Sequence, residues 1–141
     1  MQDLLRRVVE RAASDLFITA GFPPAVKIDG EIRPQMDRPL SPEQSAVLVR
    51  SMLSESLRAV ISQTLLKRTG GGRVAAHEIM IGTPAIRNLI REAKVAQMYS
   101  AIQTGQSFGM QTLDQCLTEL VAKGAVSKEE ARYKAQNKDA L

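Results

Sequence analysis

The sequence predicts an α+β protein: a small amino-terminal α/β piece, a helix plus short strands, joined to a mainly helical carboxyl-terminal domain with one β-hairpin. Three observations carry this reading. Residues 1–13 place Leu4, Leu5, Val8, Val9 and Ala12 at helical spacing, ahead of two stretches rich in β-formers. Residues about 63–81 alternate on either side of a glycine cluster, the pattern of a hairpin. From Thr83 onward, apolar residues recur at i, i+3 and i+4 behind good helix-start residues. The expected division is 1–44 for the first part and 45–141 for the second.

Taken in order, the first helix alternates its apolar positions with Arg6, Arg7, Glu10 and Arg11, and Ser14-Asp15 ends it. Leu16-Phe17-Ile18-Thr19 reads as a strand, and Gly21-Phe22-Pro23-Pro24 as a break, because proline cannot donate to a ladder. Ala25–Ile28 and Glu31–Arg33 flank Asp29-Gly30, a strong two-residue hairpin signal. Ser41-Pro42-Glu43-Gln44 starts a helix with a capping box, and the stripe Val49, Met52, Leu53, Leu57, Val60, Ile61 carries it for about five turns. Next comes the hairpin, with Val74, Ala76, Glu78 and Met80 alternating against Ala75, His77, Ile79 and Ile81 behind the tip Thr69-Gly70-Gly71-Gly72. Thr83 caps a helix with Pro84 at its first position and Ile86, Leu89 and Ile90 on one face. Val95, Met98, Tyr99 and Ile102 predict another helix over Lys94–Ile102, followed by a loop over Gly105–Gly109. Thr112 with Gln115, and Ser127 with Glu130, form capping boxes for two more helices, and Gly124 suits the end of the first.

Composition narrows the function. No apolar run approaches the roughly 20 residues needed to span a bilayer, and Met1-Gln2-Asp3 opens an amphipathic pattern and not a signal peptide, so a cytoplasmic location is expected. The single cysteine, Cys116, cannot form an internal disulfide and falls in an apolar helical pattern, as a buried structural thiol would. One Cys and one His exclude a zinc-type cluster. The net charge of +4 is spread among interleaved acids, with only three Phe and two Tyr to stack on bases, so no nucleic-acid partner is expected.

A phosphate cradle of the form G-x-x-x-x-G-K-[S/T] surrounds the β and γ phosphates of ATP with backbone N–H groups and one lysine. The 141 residues contain no Gly-Lys pair, and Gly70-Gly71-Gly72-Arg73 offers neither the lysine nor the hydroxyl. His77 lies inside a strand pattern and reads as structural. Glu78 lacks a paired acid, and the Ser and Cys residues have no visible histidine partner for nucleophilic work. On the 83–92 helix, Arg87 and Arg91 stand one turn apart and could grip a carboxylate or a neighbouring helix together.

The run HEIMIGTPAIRNLIRE, continued by KVAQMYSAIQTGQSFGMQTLDQCLTELVAKG, resembles the carboxyl-terminal part of the type IV pilus retraction ATPases, the PilT/PilU twitching motility family, over most of residues 47–135. SDLFITAGFPPAVKIDGEIRP resembles the start of the same family, nearer its PilU branch. LSPEQ belongs with that start, whereas VRSMLSESLRAVISQTLLKR resembles a segment after the family's nucleotide core, which puts a join near residues 44–50. The resemblance therefore implies an internally deleted or chimeric relative that lacks the phosphate loop, acidic boxes and histidine box. Intact members form cytoplasmic hexamers that use ATP and Mg to remove pilin. For this chain the implied set is no catalytic, cofactor-binding or metal residues, no cofactor of its own, and a retraction motif over Ala85, Ile86, Arg87, Asn88, Leu89, Ile90, Arg91 and Glu92. Expected partners are full-length retraction ATPase subunits and the pilus inner-membrane platform, with self-association or oligomer formation and no direct membrane insertion. The alternatives are an ATP-binding ATPase, as the family label would have it, and a non-functional product of gene decay or recombination.

Overall fold

The computed structural model describes residues 2–140, so Met1, Leu141 and the side chain of Leu5 in the first helix's stripe lie outside the described residues. The chain divides into two compact units, Met1–Glu55 and Ser56–Leu141. It combines helices with two small antiparallel sheets, the α+β mixture expected.

In the first unit, helix α1 (Gln2–Glu10) precedes a three-stranded meander of β1 (Asp15–Phe17), β2 (Ala25–Ile28) and β3 (Glu31–Pro34). The turn between β2 and β3 is Asp29-Gly30, with φ of 52° and 84°, so Ile28 pairs directly with Glu31. Two consecutive positive φ values match the right-handed twist of the strands, which is why Asp-Gly serves there. Val26 is fully buried, with Leu4 and Leu40 nearly so. Helix α2 (Pro42–Ser56) opens with the predicted reciprocal cap: the Gln44 amide donates to Ser41 Oγ at 3.2 Å, and the Ser41 amide to Gln44 Oε1 at 2.9 Å.

Two expectations about α2 need correction. The helix stops at Ser56, and Val60 and Ile61, read as its last stripe positions, are strand residues opposite Met80 and Ile79. β-branched side chains pack better on a pleated ladder than against a preceding helical turn, and the long-range pairing decides the conflict. The apolar stripe is packed only in part: Met52 and Leu57 are half-buried, whereas Val49 and Leu53 are exposed and Ser45 and Ser54 are buried.

The second unit is built on the hairpin of β4 (Ala59–Lys67) and β5 (Arg73–Ile81), paired in one unbroken register from Ala59↔Ile81 to Lys67↔Arg73. Gly70, Gly71 and Gly72 all take positive φ at its tip, which side chains other than glycine rarely adopt. On one face of the hairpin, Leu66 and Ala76 join Leu117, Val126 and Ala131 in a core closed by α5 (Leu113–Ala122) and α6 (Lys128–Lys134). Further along, Met80 packs with Ile86 of α3 (Pro84–Arg91), Ile102 of α4 (Met98–Thr104) and Met110.

The helix after α3 is shorter than its spacing suggests. Val95–Gln97 is a 3₁₀ turn, α4 begins only at Met98, and Val95 is 70% exposed. Thr112 caps α5 with the full reciprocal box through Gln115. At α6 only half of the predicted box forms. Ser127 Oγ accepts from the Glu130 amide, but the Glu130 carboxylate accepts from the Lys67 amide of β4 at 3.1 Å, trading a local cap for a tertiary tie. The chain beyond α6 is tied as well, since the amides of Gln136 and Asn137 donate to the two carboxylate oxygens of Asp114.

Candidate functional site

Helix α3 is the segment on which the sequence concentrates its functional signal. Thr83 holds extended backbone, its Oγ1 accepts from the Ile86 amide at 3.3 Å, and Pro84 occupies the first turn, where no amide is needed. Ile86 is completely buried and anchors the helix, and full burial of such a side chain is worth roughly 1.5–3 kcal/mol. Leu89 and Ile90 are half-buried, while Ala85, Asn88, Arg91 and Glu92 are exposed. The eight residues from Ala85 to Glu92 therefore form one amphipathic surface of fixed orientation.

The two arginines are not equivalent. Arg87 is half-buried, and its Nε donates to the Gly82 carbonyl at 2.8 Å, bracing the turn that connects β5 to the helix. Arg91 is exposed. The expected joint grip is therefore modified: Arg91 presents its guanidinium, and Arg87 spends one N–H on its own chain. Spacing placed them one turn apart and could not show this, because the acceptor is a backbone carbonyl. Around the helix end, Asn88 Nδ2 donates to Glu92 Oε1 at 2.9 Å, and Lys94 Nζ pairs with Glu92 Oε2 at 2.7 Å. Lys94, absent from the sequence-derived motif, thus holds its last residue. These contacts, that from Lys94 foremost, keep the Glu92 carboxyl below its ordinary value.

Other polar residues are engaged structurally. His77 Nε2 lies 3.2 Å from Gln63 Oε1 across the hairpin, and the His77 amide donates to Cys116 Sγ at 3.5 Å. Glu78 accepts from the Leu113 amide at 3.2 Å, a carboxylate at the positive end of α5. Sequence spacing missed this tie, which links residues 35 apart. An open groove of about 510 Å³ beside α5 contains Tyr99, Gln103 and Asp114, but Asp114 already accepts from Tyr99 as well as from the two amides after α6. Among the described residues, no group of three His, Cys, Asp or Glu side chains is placed to hold a metal ion.

The glycine cluster does not have the form of a strand-to-helix phosphate loop. The tip joins two strands and does not lead into a helix, and its geometry is already internal: Gly71 donates to the Arg68 carbonyl, Arg68 to the Gly72 carbonyl, and Thr69 to the Ala125 carbonyl. A Cβ added at any of the three glycines would meet open space, so the tip is not a concave cradle.

No family model matches the chain. The type IV pilus retraction ATPase PilT of Pseudomonas aeruginosa is 76% identical to it over 95 residues, covering 67% of this chain and 28% of that protein. Across that stretch, the chain belongs to the type IV pilus retraction ATPase family. A twitching motility protein of Neisseria gonorrhoeae is 60% identical over 95 residues, again 67% of this chain but 25% of the relative. The crystal structure of the pilus retraction motor PilT with bound ADP superposes with a TM-score of 0.61 at 40% identity, over 72% of this chain and 28% of that one. The chain thus spans about a quarter of the length of the retraction ATPases it matches.

Proposed function

We propose that this chain is a non-catalytic relative of the retraction ATPases that acts by associating with their full-length subunits. Its contact surface is the exposed side of the Ala85–Glu92 helix. The observation that carries the reading is the construction of α3. A capped, anchored helix offers Arg91 to solvent in a stretch that shares high identity with the retraction motor, while the 141 residues hold no Gly-Lys pair with which to cradle a triphosphate. An exposed guanidinium on a rigid helix suits a carboxylate on a neighbouring subunit. In this reading the chain works in the cytoplasm, at the inner face of the membrane through the pilus machinery, and either joins or obstructs a hexamer of intact subunits. The join near residues 44–50 belongs to the same reading.

The test is co-purification of the tagged chain with the full-length retraction ATPase of the same source. Wild type is expected to retain the ATPase, and Arg91→Glu to lose it while keeping the circular dichroism of the parent. Arg91 is the better substitution because Arg87 also braces Gly82. Retention by Arg91→Glu equal to wild type would remove α3 as the contact. Stoichiometric binding and turnover of radiolabelled ATP by the pure chain would instead favour the catalytic alternative.

A further inference from the structure

The outer edge of β4 is an open hydrogen-bonding surface, and its pattern can be read from the ends of the hairpin. The Arg68 amide donates to the Gly72 carbonyl at the tip, and the Gly82 amide to the Arg58 carbonyl at the base. In the register of this hairpin, both are pairs of even-numbered residues. Hydrogen-bonded and non-bonded pairs alternate along an antiparallel ladder, so the even residues of β4 bond inward to β5 and its odd residues point their N–H and C=O groups outward. The Lys67 amide confirms the parity, since it leaves the ladder to reach Glu130.

The two edges of the hairpin are treated differently. Along the outer edge of β5, Ile79 exchanges both backbone bonds with Gln111, the His77 carbonyl accepts from Gln111 Nε2, and the His77 amide donates to Cys116. Along β4, Glu130 covers the Lys67 end, and among the described residues none bonds to the outward backbone groups of Ala59, Ile61, Gln63 and Leu65. Two of the side chains there are large, apolar and exposed, Ile61 at 65% and Leu65 at 47%. No residue from Ala59 to Leu66 is charged and none is proline, so the usual protections of an edge strand are missing.

We infer that β4 is a strand-addition site whose occupant is β4 of a second copy of this chain, paired antiparallel about a two-fold axis at Ser62. That register sets Ile61 against Gln63 and Ala59 against Leu65 of the second copy, so every unpartnered outward residue gains a partner and Lys67 keeps its bond to Glu130. It also separates the flanking cations, placing Arg58 opposite Leu66, whereas an axis at Gln63 would oppose Arg58 to Arg68. Charge and backbone parity thus select a self-complementary pairing that yields one four-stranded sheet across two chains. This site lies apart from α3, so its failure and that of the association through Arg91 are separately visible.

Sedimentation over a concentration series, with amide exchange followed by NMR, tests it. Wild type is expected to show a monomer–dimer equilibrium in which the Ile61 and Gln63 amides become protected as dimer forms, while the even-numbered amides of β4 are protected throughout. Gln63→Pro removes an outward N–H and no backbone bond to β5, although it also removes the side-chain contact with His77. Ile61→Lys adds a charge at an exposed position. Each should raise the dimer dissociation constant roughly tenfold or more. Ile61→Lys decides the matter even if the proline variant fails to fold. A monomer at all concentrations, a dimer that ignores both substitutions, or protection of Ile61 that appears only when the retraction ATPase is added would each overturn the inference.

Discussion

Gly82 occupies the turn between β5 and α3, and its missing side chain is a packing requirement. A Cβ there would collide with the backbone carbonyl of Leu57, and the Gly82 amide is itself bonded to the Arg58 carbonyl at 2.7 Å. Backbone atoms on both sides cannot yield without opening the base of the hairpin. Gly82→Ala is therefore expected to lower stability by about 1–3 kcal/mol in urea denaturation. The same substitution at Gly124 faces open space and should cost less, its remaining penalty being the positive φ of 65°. The sequence carries no sign of this requirement, since a close approach between residues 57 and 82 is not a local property.

At the scale of the element, the capped helix starts were legible, as was the Gly124 end of α5, whereas the end of α2 was not. Ser41, Thr83, Thr112 and Ser127 each cap the helix that the sequence assigns to them, because a cap is chemistry between residues three apart. The Ser56 stop of α2 was missed because an apolar stripe continues across it into β4, and only the pairing with β5 separates the two. The end of α3 gives a pH prediction. Glu92 is held below its ordinary value of 4.5, first by the hydrogen bond from Lys94 and then by that from Asn88. A carboxylate with a depressed folded-state pKa stabilises the fold fully above its unfolded value, and that contribution is lost as pH falls through the lower folded value. An NMR titration should show the Glu92 carboxyl turning over below 4.5, and Lys94→Ala should move it back upward. A midpoint unmoved by Lys94→Ala would show that the pair is not formed in solution.

For the whole molecule, the second unit depends on helices α5 and α6 closing over one face of the hairpin, with Leu117 completely buried at the centre. Leu117→Ala is expected to destabilise that unit by about 2–5 kcal/mol, seen as a lower urea midpoint for loss of the β4–β5 amide protection. Its opposite face and the β4 edge carry apolar side chains in water. The family resemblance reaches across this unit, yet the chain covers about a quarter of its relatives, so a surface that is exposed here need not be exposed in them.

Local chemistry in the sequence determined the fold class, the Asp29-Gly30 and glycine-tipped turns, the helix caps and the apolar face of α3, because these rest on contacts between near neighbours. Tertiary structure alone decided that Arg87 braces Gly82 while Arg91 faces solvent, that Glu130 leaves its cap for Lys67, and that β4 shows one unpaired edge. Each of those outcomes is a competition for one donor or acceptor between a local and a distant partner, and only the folded chain brings the distant one within reach.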